Sequence, residues 1–218
     1  MRKLVTVPAT LAMFGFLVGC ASQVPYDYSN FRAHPPRSIL VLPPTNNTPD
    51  VNGTYGYLTT MTRPLAEKGY YVFPVMLVDQ YMKENGLPSA NEMQNVPLPK
   101  IQEIIGADSV LYMTLTQYGT KYELINSATE VGATGKLVDV RTGLQLWDGK
   151  VYFVQNSNSG AGGGNPLASL IAAAVVALVD QIISTSVDHA HEVSKIANVQ
   201  LFMDKDRGLL DGPYIVPK

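Results

Sequence analysis

Past Asp108 the chain changes its hydrophobic period. "DSVLYMTLTQYGT" (108–120), "ATEVGATGKLVDV" (128–140) and "LQLWDGKVYFVQ" (144–155) alternate apolar and polar side chains, as strands do when one face is buried and the other is open. Turn residues follow at Gly119-Thr120 and Arg141-Thr142-Gly143. Consecutive strands with short turns pair with their neighbours, so this half of the chain is expected to form an antiparallel meander.

The stretch before the meander reads differently. In "SILVLPPTNNT" the continuous apolar run Ile39 to Leu42 stops at Pro43-Pro44, as a strand buried on both faces would. Asn46, Asn47, Asp50, Asn52 and Gly53 supply turn and cap chemistry. Residues 55–68 read as a helix with Tyr57, Leu58, Met61 and Leu65 on one face and Gly69 as its stop. Residues 70–75, "YYVFPV", are β-rich. Residues 78–84 form a short helix ended by Asn85-Gly86, 87–97 a proline-flanked loop, and 98–105 a helix stopped at Gly106. The order predicts an α/β domain over 38–155, a mixed sheet with helices packed on it.

Both flanks are distinctive. Residues 156–165 are a Gly/Ser linker, and 166–218 a C-terminal helical segment ending in the loop-like "GLLDGPYIVPK". A long apolar helix is expected from Pro166 to about Leu201, with Asp188 and Asn198 as candidate breaks. From Leu167 to Val179 only Ser169 is not apolar. The run is too short for a bilayer, and a helix apolar all round must be buried. Residues 167–183 therefore lie on the domain's own sheet or against another subunit or envelope protein, where Ala172, Ala173, Ala174 and Ala177 would allow close approach.

At the other end, residues 1–19 have the layout of a signal peptide: Arg2 and Lys3, then an apolar run from Leu4 to Val18 interrupted by Thr6, Pro8 and Thr10. Leu17-Val18-Gly19-Cys20 looks like a bacterial lipobox. That resemblance implies cleavage before Cys20, a diacylglyceryl thioether on its sulfur and an acyl chain such as palmitate on the new amino group. Each buried methylene contributes about 0.8 kcal/mol, so several chains anchor where one does not. Ala21 and Ser22 follow where inner-membrane lipoproteins tend to carry Asp, so the expected address is the periplasmic face of the outer membrane. Residues 20–37, with Pro25, Pro35 and Pro36 and no apolar period, read as an extended tether holding the domain some tens of ångströms from the lipid at about 3 Å per residue.

Charge narrows the partners. Of 16 basic and 18 acidic residues, only Arg2 and Lys3 fall in the signal peptide. The remainder is net acidic, without the basic footprint of a nucleic-acid binder. Only 16% of the chain is charged, against 46% hydrophobic, which suits a packed fold with apolar surface to spare for contacts.

"RSILVLPPTNNTPDVNGTYGYLTTMTRPLAEKGYYVFPVMLVD", "IIGADSVLYMTLTQYGTKYELI" and "LVDVRTGLQLWDG", with "DHAHEVSK" and the closing "GLLDGPY", resemble a family of uncharacterised bacterial lipoproteins that includes a neisserial vaccine-candidate antigen. In outline the domain is also similar to the TolB N-terminal domain and to CsgG-like periplasmic domains. Asp139, Thr142, Gly143, Leu146 and Trp147 match their closing "D-x-x-T-G-x-x-L-W" hairpin. The resemblance implies a non-enzymatic envelope lipoprotein found with a CsgG-like partner. A rival expectation is a tethered activator of a cell-wall synthase or another cell-wall module. An envelope hydrolase is the weakest.

The residues offer little for catalysis. "SGAGGGNPL" lacks the Lys and Ser/Thr that a phosphate loop needs. His189 and His191 are two apart, which sends their rings to different sides of a helix rather than to one metal. No nucleophile elbow is present, and the one thiol is assigned to lipid. Asp79, Glu84, Glu92, Asp108 and Asp139 fall at turns and helix ends, where capping accounts for them. No catalytic residue, cofactor or metal is expected. The numerous tyrosines, among them Tyr26, Tyr28, Tyr55, Tyr57, Tyr70, Tyr71, Tyr118 and Tyr122, fit either core and hairpin pairing or an interface.

Overall fold

A computed structural model describes residues 25–122, 127–156 and 189–215. In chain order the elements are α1 (Ser29–Ala33), β1 (Ser38–Val41), β2 (Thr45–Asn46), α2 (Gly53–Glu67), β3 (Tyr71–Val72), α3 (Val75–Glu84), α4 (Ala90–Gln94), α5 (Leu98–Ile104), β4 (Ser109–Tyr122), β5 (Ser127–Asp139), β6 (Gln145–Asn156) and α6 (His189–Met203). They build one mixed sheet in the order β3-β1-β4-β5-β6, with β2 also on β4.

β1 runs parallel to both β3 and β4. That central position explains its unbroken apolar run, since Ile39 and Leu40 point to opposite faces and neither is exposed. Pro43 and Pro44 have no N–H to give the ladder. The chain nevertheless resumes the same path as β2, with Thr45 opposite Thr114. From β4 to β6 the pairing is antiparallel, the expected meander.

Two layers of helix bury the sheet unequally. On the first face α2 contributes Tyr57, Leu58, Met61 and Leu65, and α6 contributes Val193, Ala197, Leu201 and Phe202. They cover Leu111, Met113, Val131, Leu137, Trp147 and Val151. Each large side chain withdrawn from water in this way contributes about 1.5–3 kcal/mol. On the second face α3, α4 and α5 bring Val78, Met82, Met93 and Ile101 onto Leu40, Leu42, Val110 and Val140. This second layer sits over β1 and the start of β4, and among the described residues no helix covers most of β5 and β6 on this face.

Several expectations need correction. Gly119-Thr120 is not a turn: β4 runs through it to Tyr122, with Gly119 opposite Glu130 and a bulge between Leu115 and Gln117. The expected loop 87–97 contains α4, started by a capping box in which Ser89 and Glu92 bond reciprocally. Asn198 does not break the last helix. It is buried inside α6 and donates to Thr60 Oγ1 at 2.8 Å. Nor is the whole of 20–37 an extended tether. Phe31 is buried, Tyr28 donates to the carbonyl of Gly208, and Tyr26 bonds Asp148, so the chain is packed from Tyr26 onward.

The expected long apolar helix is represented among the described residues by α6 alone. Residues 167–183, the glycines of the linker and Asp188 lie outside them, and no described helix is long and apolar enough to cross a membrane. The tail 208–215 is irregular, as expected, but it is clamped. Gly69 ends α2 at φ 84°, and Tyr214 N donates to its carbonyl at 3.0 Å. A Cβ on Gly69 would lie 2.4 Å from Ile215 N, so both backbone conformation and space require glycine there.

Candidate interaction surface

The hairpin residues that carry the sequence resemblance prove to be scaffold. Asp139 Oδ1 accepts from Arg141 N (3.1 Å), Thr142 N (2.7 Å) and Thr142 Oγ1 (2.7 Å), and Gly143 closes the turn at φ 71°. Asp108 Oδ2 accepts from the backbone N–H groups of Arg37 and Ser38 and from the Ser38 hydroxyl, tying the start of β1 to the start of β4. Partial burial pushes the Asp108 carboxyl up, but these hydrogen bonds and the Arg37 guanidinium outweigh it and hold it below the usual carboxylate range. Trp147 is fully buried, stacks obliquely on Phe202 at 5.8 Å, and donates its indole N–H to Arg207 O at 2.7 Å. A Cβ on its neighbour Gly149 would meet the Trp147 ring at 2.4 Å.

The remaining acids are also engaged locally. Asp79 accepts from the Tyr55 hydroxyl and Lys83, Glu84 from Gln80, and Glu92 within its capping box. His189 is exposed at the start of α6, whereas His191 Nδ1 lies 3.0 Å from the carbonyl of Gly56 in α2. The two rings thus go to different places. Of the tyrosines, Tyr57, Tyr70 and Tyr118 are core, Tyr55 and Tyr71 are exposed, and Tyr26 and Tyr28 pack the N-terminal segment. The side chain of Tyr122 lies outside the described residues.

The half of the second face that no described helix covers is the feature that sequence reading missed. The strand registers lay its side chains out as a grid: Tyr112, Lys136 and Asp148 in one row, Thr114, Thr134 and Lys150 in the next, then Gln117, Gly132 and Tyr152, then Gly119, Glu130 and Val154. A Cβ on Gly132 would press on Cδ2 of the Tyr152 ring at 3.3 Å, so glycine makes room for that ring, and 54% of the residue stays exposed. Lys136 reaches over the Tyr112 ring at 5.4 Å. α4 forms a wall, with the Gln94 amide bonded to the carbonyls of Pro43 and Met113. Between wall and floor runs a groove of about 800 Å³ that continues round the β6 edge to Arg207, with a smaller one of about 450 Å³ beside Asn91, Asn95 and Leu98. Part of the signal was present in the alternation: the positions of this grid are mostly polar, Thr, Lys, Tyr, Gln, Asp and Glu beside two glycines and one valine, which is not the composition of a core face.

Among the described residues β6 is an edge strand, half of it protected. Asn30 donates to Gln145 O, and Tyr26 both donates to the Asp148 carboxylate and accepts from Asp148 N. Arg207 closes over the Tyr26 ring at 5.2 Å.

With this geometry in hand, comparison with known proteins is decisive for kinship. The family model described as "Putative lipoprotein GNA1162-like" matches residues 26–214, which begin where the packed structure begins. The chain belongs to that family. A GNA1162-like relative from Neisseria meningitidis serogroup B, named "Putative lipoprotein NMB1124/NMB1162", is 41% identical over 96% of this chain and 97% of its own. The crystal structure of lipoprotein GNA1162 from the same species superposes with a TM-score of 0.55 at 43% identity, covering 66% of this chain and 99% of that one. A PelC dodecamer from Paraburkholderia phytofirmans overlaps at a TM-score of 0.44 and 17% identity, over 57% of this chain and 77% of its own. That overlap says nothing of what this GNA1162-like chain does. Cys20, the expected lipid site, lies outside the described residues.

Proposed function

We propose that the chain is a lipid-anchored envelope protein that works by binding other molecules rather than by catalysis. Its membership of a lipoprotein family carries this reading. Two features support it: the Leu17-Val18-Gly19-Cys20 motif a few residues before the packed domain, and the acids that would be catalytic candidates, which are committed to turns and caps. The thioether lipid belongs on Cys20 and the domain on the periplasmic face of the outer membrane. The partners proposed are a CsgG-like pore lipoprotein and further copies of this chain, with residues 167–183 as a contact segment.

Two experiments test this. Cys20→Ser should remove metabolic labelling by palmitate and release the chain from the membrane fraction; unchanged retention would overturn the anchor. Affinity capture from solubilised envelopes should recover a pore lipoprotein. Recovery of a cell-wall synthase instead would replace this reading with the tethered-activator alternative.

A further inference from the structure

We infer that the open half of the sheet is a binding groove for an acidic oligosaccharide, a strand of sugar rings bearing carboxylates. Three observations converge. First, Tyr152 stands opposite Gly132, its ring beside the space a Cβ there would need, and is 54% exposed. A flat aromatic ring held on a rigid sheet is a stacking platform, suited to the C–H face of a pyranose. Second, the floor beside it carries Thr134 and Thr114, the latter already bonded to the Thr45 hydroxyl at 2.8 Å, with Asn91, Gln94 and Asn95 along the wall, where the Gln94 and Asn95 N–H groups are given to backbone carbonyls and their oxygens remain as acceptors. These groups both donate and accept, as sugar hydroxyls require. Third, Lys136 and Lys150 stand on diagonal positions of β5 and β6, about 7–8 Å apart at the backbone. Among the described residues no carboxylate pairs with either. With Arg207 these cations outnumber the Asp148 and Asp204 carboxylates that also line the groove, which in a chain of net charge -2 makes it a local site complementary to an anion.

The groove favours a sugar over the other acidic polymers. An extended peptide would add to a sheet through an edge strand's backbone, whereas the converging groups here are side chains on a face. An apolar helix would leave Thr134 and Lys150 desolvated and unpaired. The distance from Tyr112 to Tyr152 is two strands across and four residues along, roughly 16 Å, so a strand of several rings fits and a single ring does not fill it. At about 800 Å³ the groove lies within the ~300–1,000 Å³ typical of ligand sites.

The test uses the full chain in detergent and three probes: oligogalacturonate hexamer, neutral chitohexaose and hexaglutamate, titrated by calorimetry. Oligogalacturonate should bind, and Tyr152→Ala should weaken it about tenfold. Tyr152→Phe should retain binding, because the ring and not the hydroxyl does the stacking. Lys136→Ala with Lys150→Ala should weaken binding and flatten its salt dependence. All three side chains are on the surface, and an unchanged unfolding midpoint certifies each variant. Absence of oligogalacturonate binding overturns the proposal. So does chitohexaose or hexaglutamate binding as tightly, or binding indifferent to Tyr152→Ala. None of these outcomes depends on whether Cys20 carries lipid, so the anchor reading stands or falls separately.

Discussion

Tyr57 buries its hydroxyl in the core between α2 and the sheet, where it has no hydrogen-bond partner among the described residues; burial drives the phenol's pKa far up. An unsatisfied hydroxyl costs about 1–3 kcal/mol when buried. Tyr57→Phe should therefore leave the fold unchanged and raise its stability by the order of 1 kcal/mol, read as a higher urea midpoint at unchanged slope. Asp108 is the opposite case, an acid whose hydrogen bonds repay its burial. Its folded pKa lies below the unfolded value of about 3.9, so its contribution is present above that pH and is lost as pH falls through the folded pKa. Asp108→Asn should be less stable than the parent at pH 7, with the gap narrowing below about pH 4 in parallel denaturation series. Turn and stop residues such as Asp139, Gly69, Gly86 and Gly106 were legible because local backbone geometry dictates them. The Asn198–Thr60 bond was not, because it joins residues 138 apart in sequence, and no local pattern encodes such a pairing.

At the scale of elements, α4 is a five-residue helix that owes its start to one cap. Short helices are marginal without tertiary support. Ser89→Ala should cost about 0.5–2 kcal/mol and, through Gln94, loosen the wall of the groove. Faster amide exchange at residues 92–95 would show this, and unchanged exchange there would sink it. The Ser89-x-x-Glu92 spacing was visible in the sequence, but the prolines on either side invited a loop reading. β1, α2, α3, α5 and the three long strands were all legible, since each keeps a clear period. β3 falls inside the β-rich 70–75 and was legible by composition, whereas β2, two residues long, is too short for any period to show. α1 was hidden because only Phe31 of its five residues is buried, so it shows no helical stripe.

Among the described residues, helices clothe one face of the sheet fully and the other only half. Hydrogen exchange should rank the strands accordingly: β1 and the first half of β4 slowest, and β6 beyond Gly149 fastest, since that stretch is an edge strand beneath an open face. Uniform protection across β4 to β6 would mean that something covers the groove. The half-clothed face could not be read from the strands one at a time. It depends on where three helices run out, and that is a property of the assembled layers. One consequence concerns the N-terminal segment. With Tyr26, Tyr28 and Phe31 pinned to the domain, only six residue steps separate a lipid on Cys20 from folded protein, a reach of about 20 Å at full stretch. The molecule would then ride low over the bilayer at a nearly fixed altitude, unable to trawl the compartment, and would choose its partners as much by their height above the membrane as by their shape.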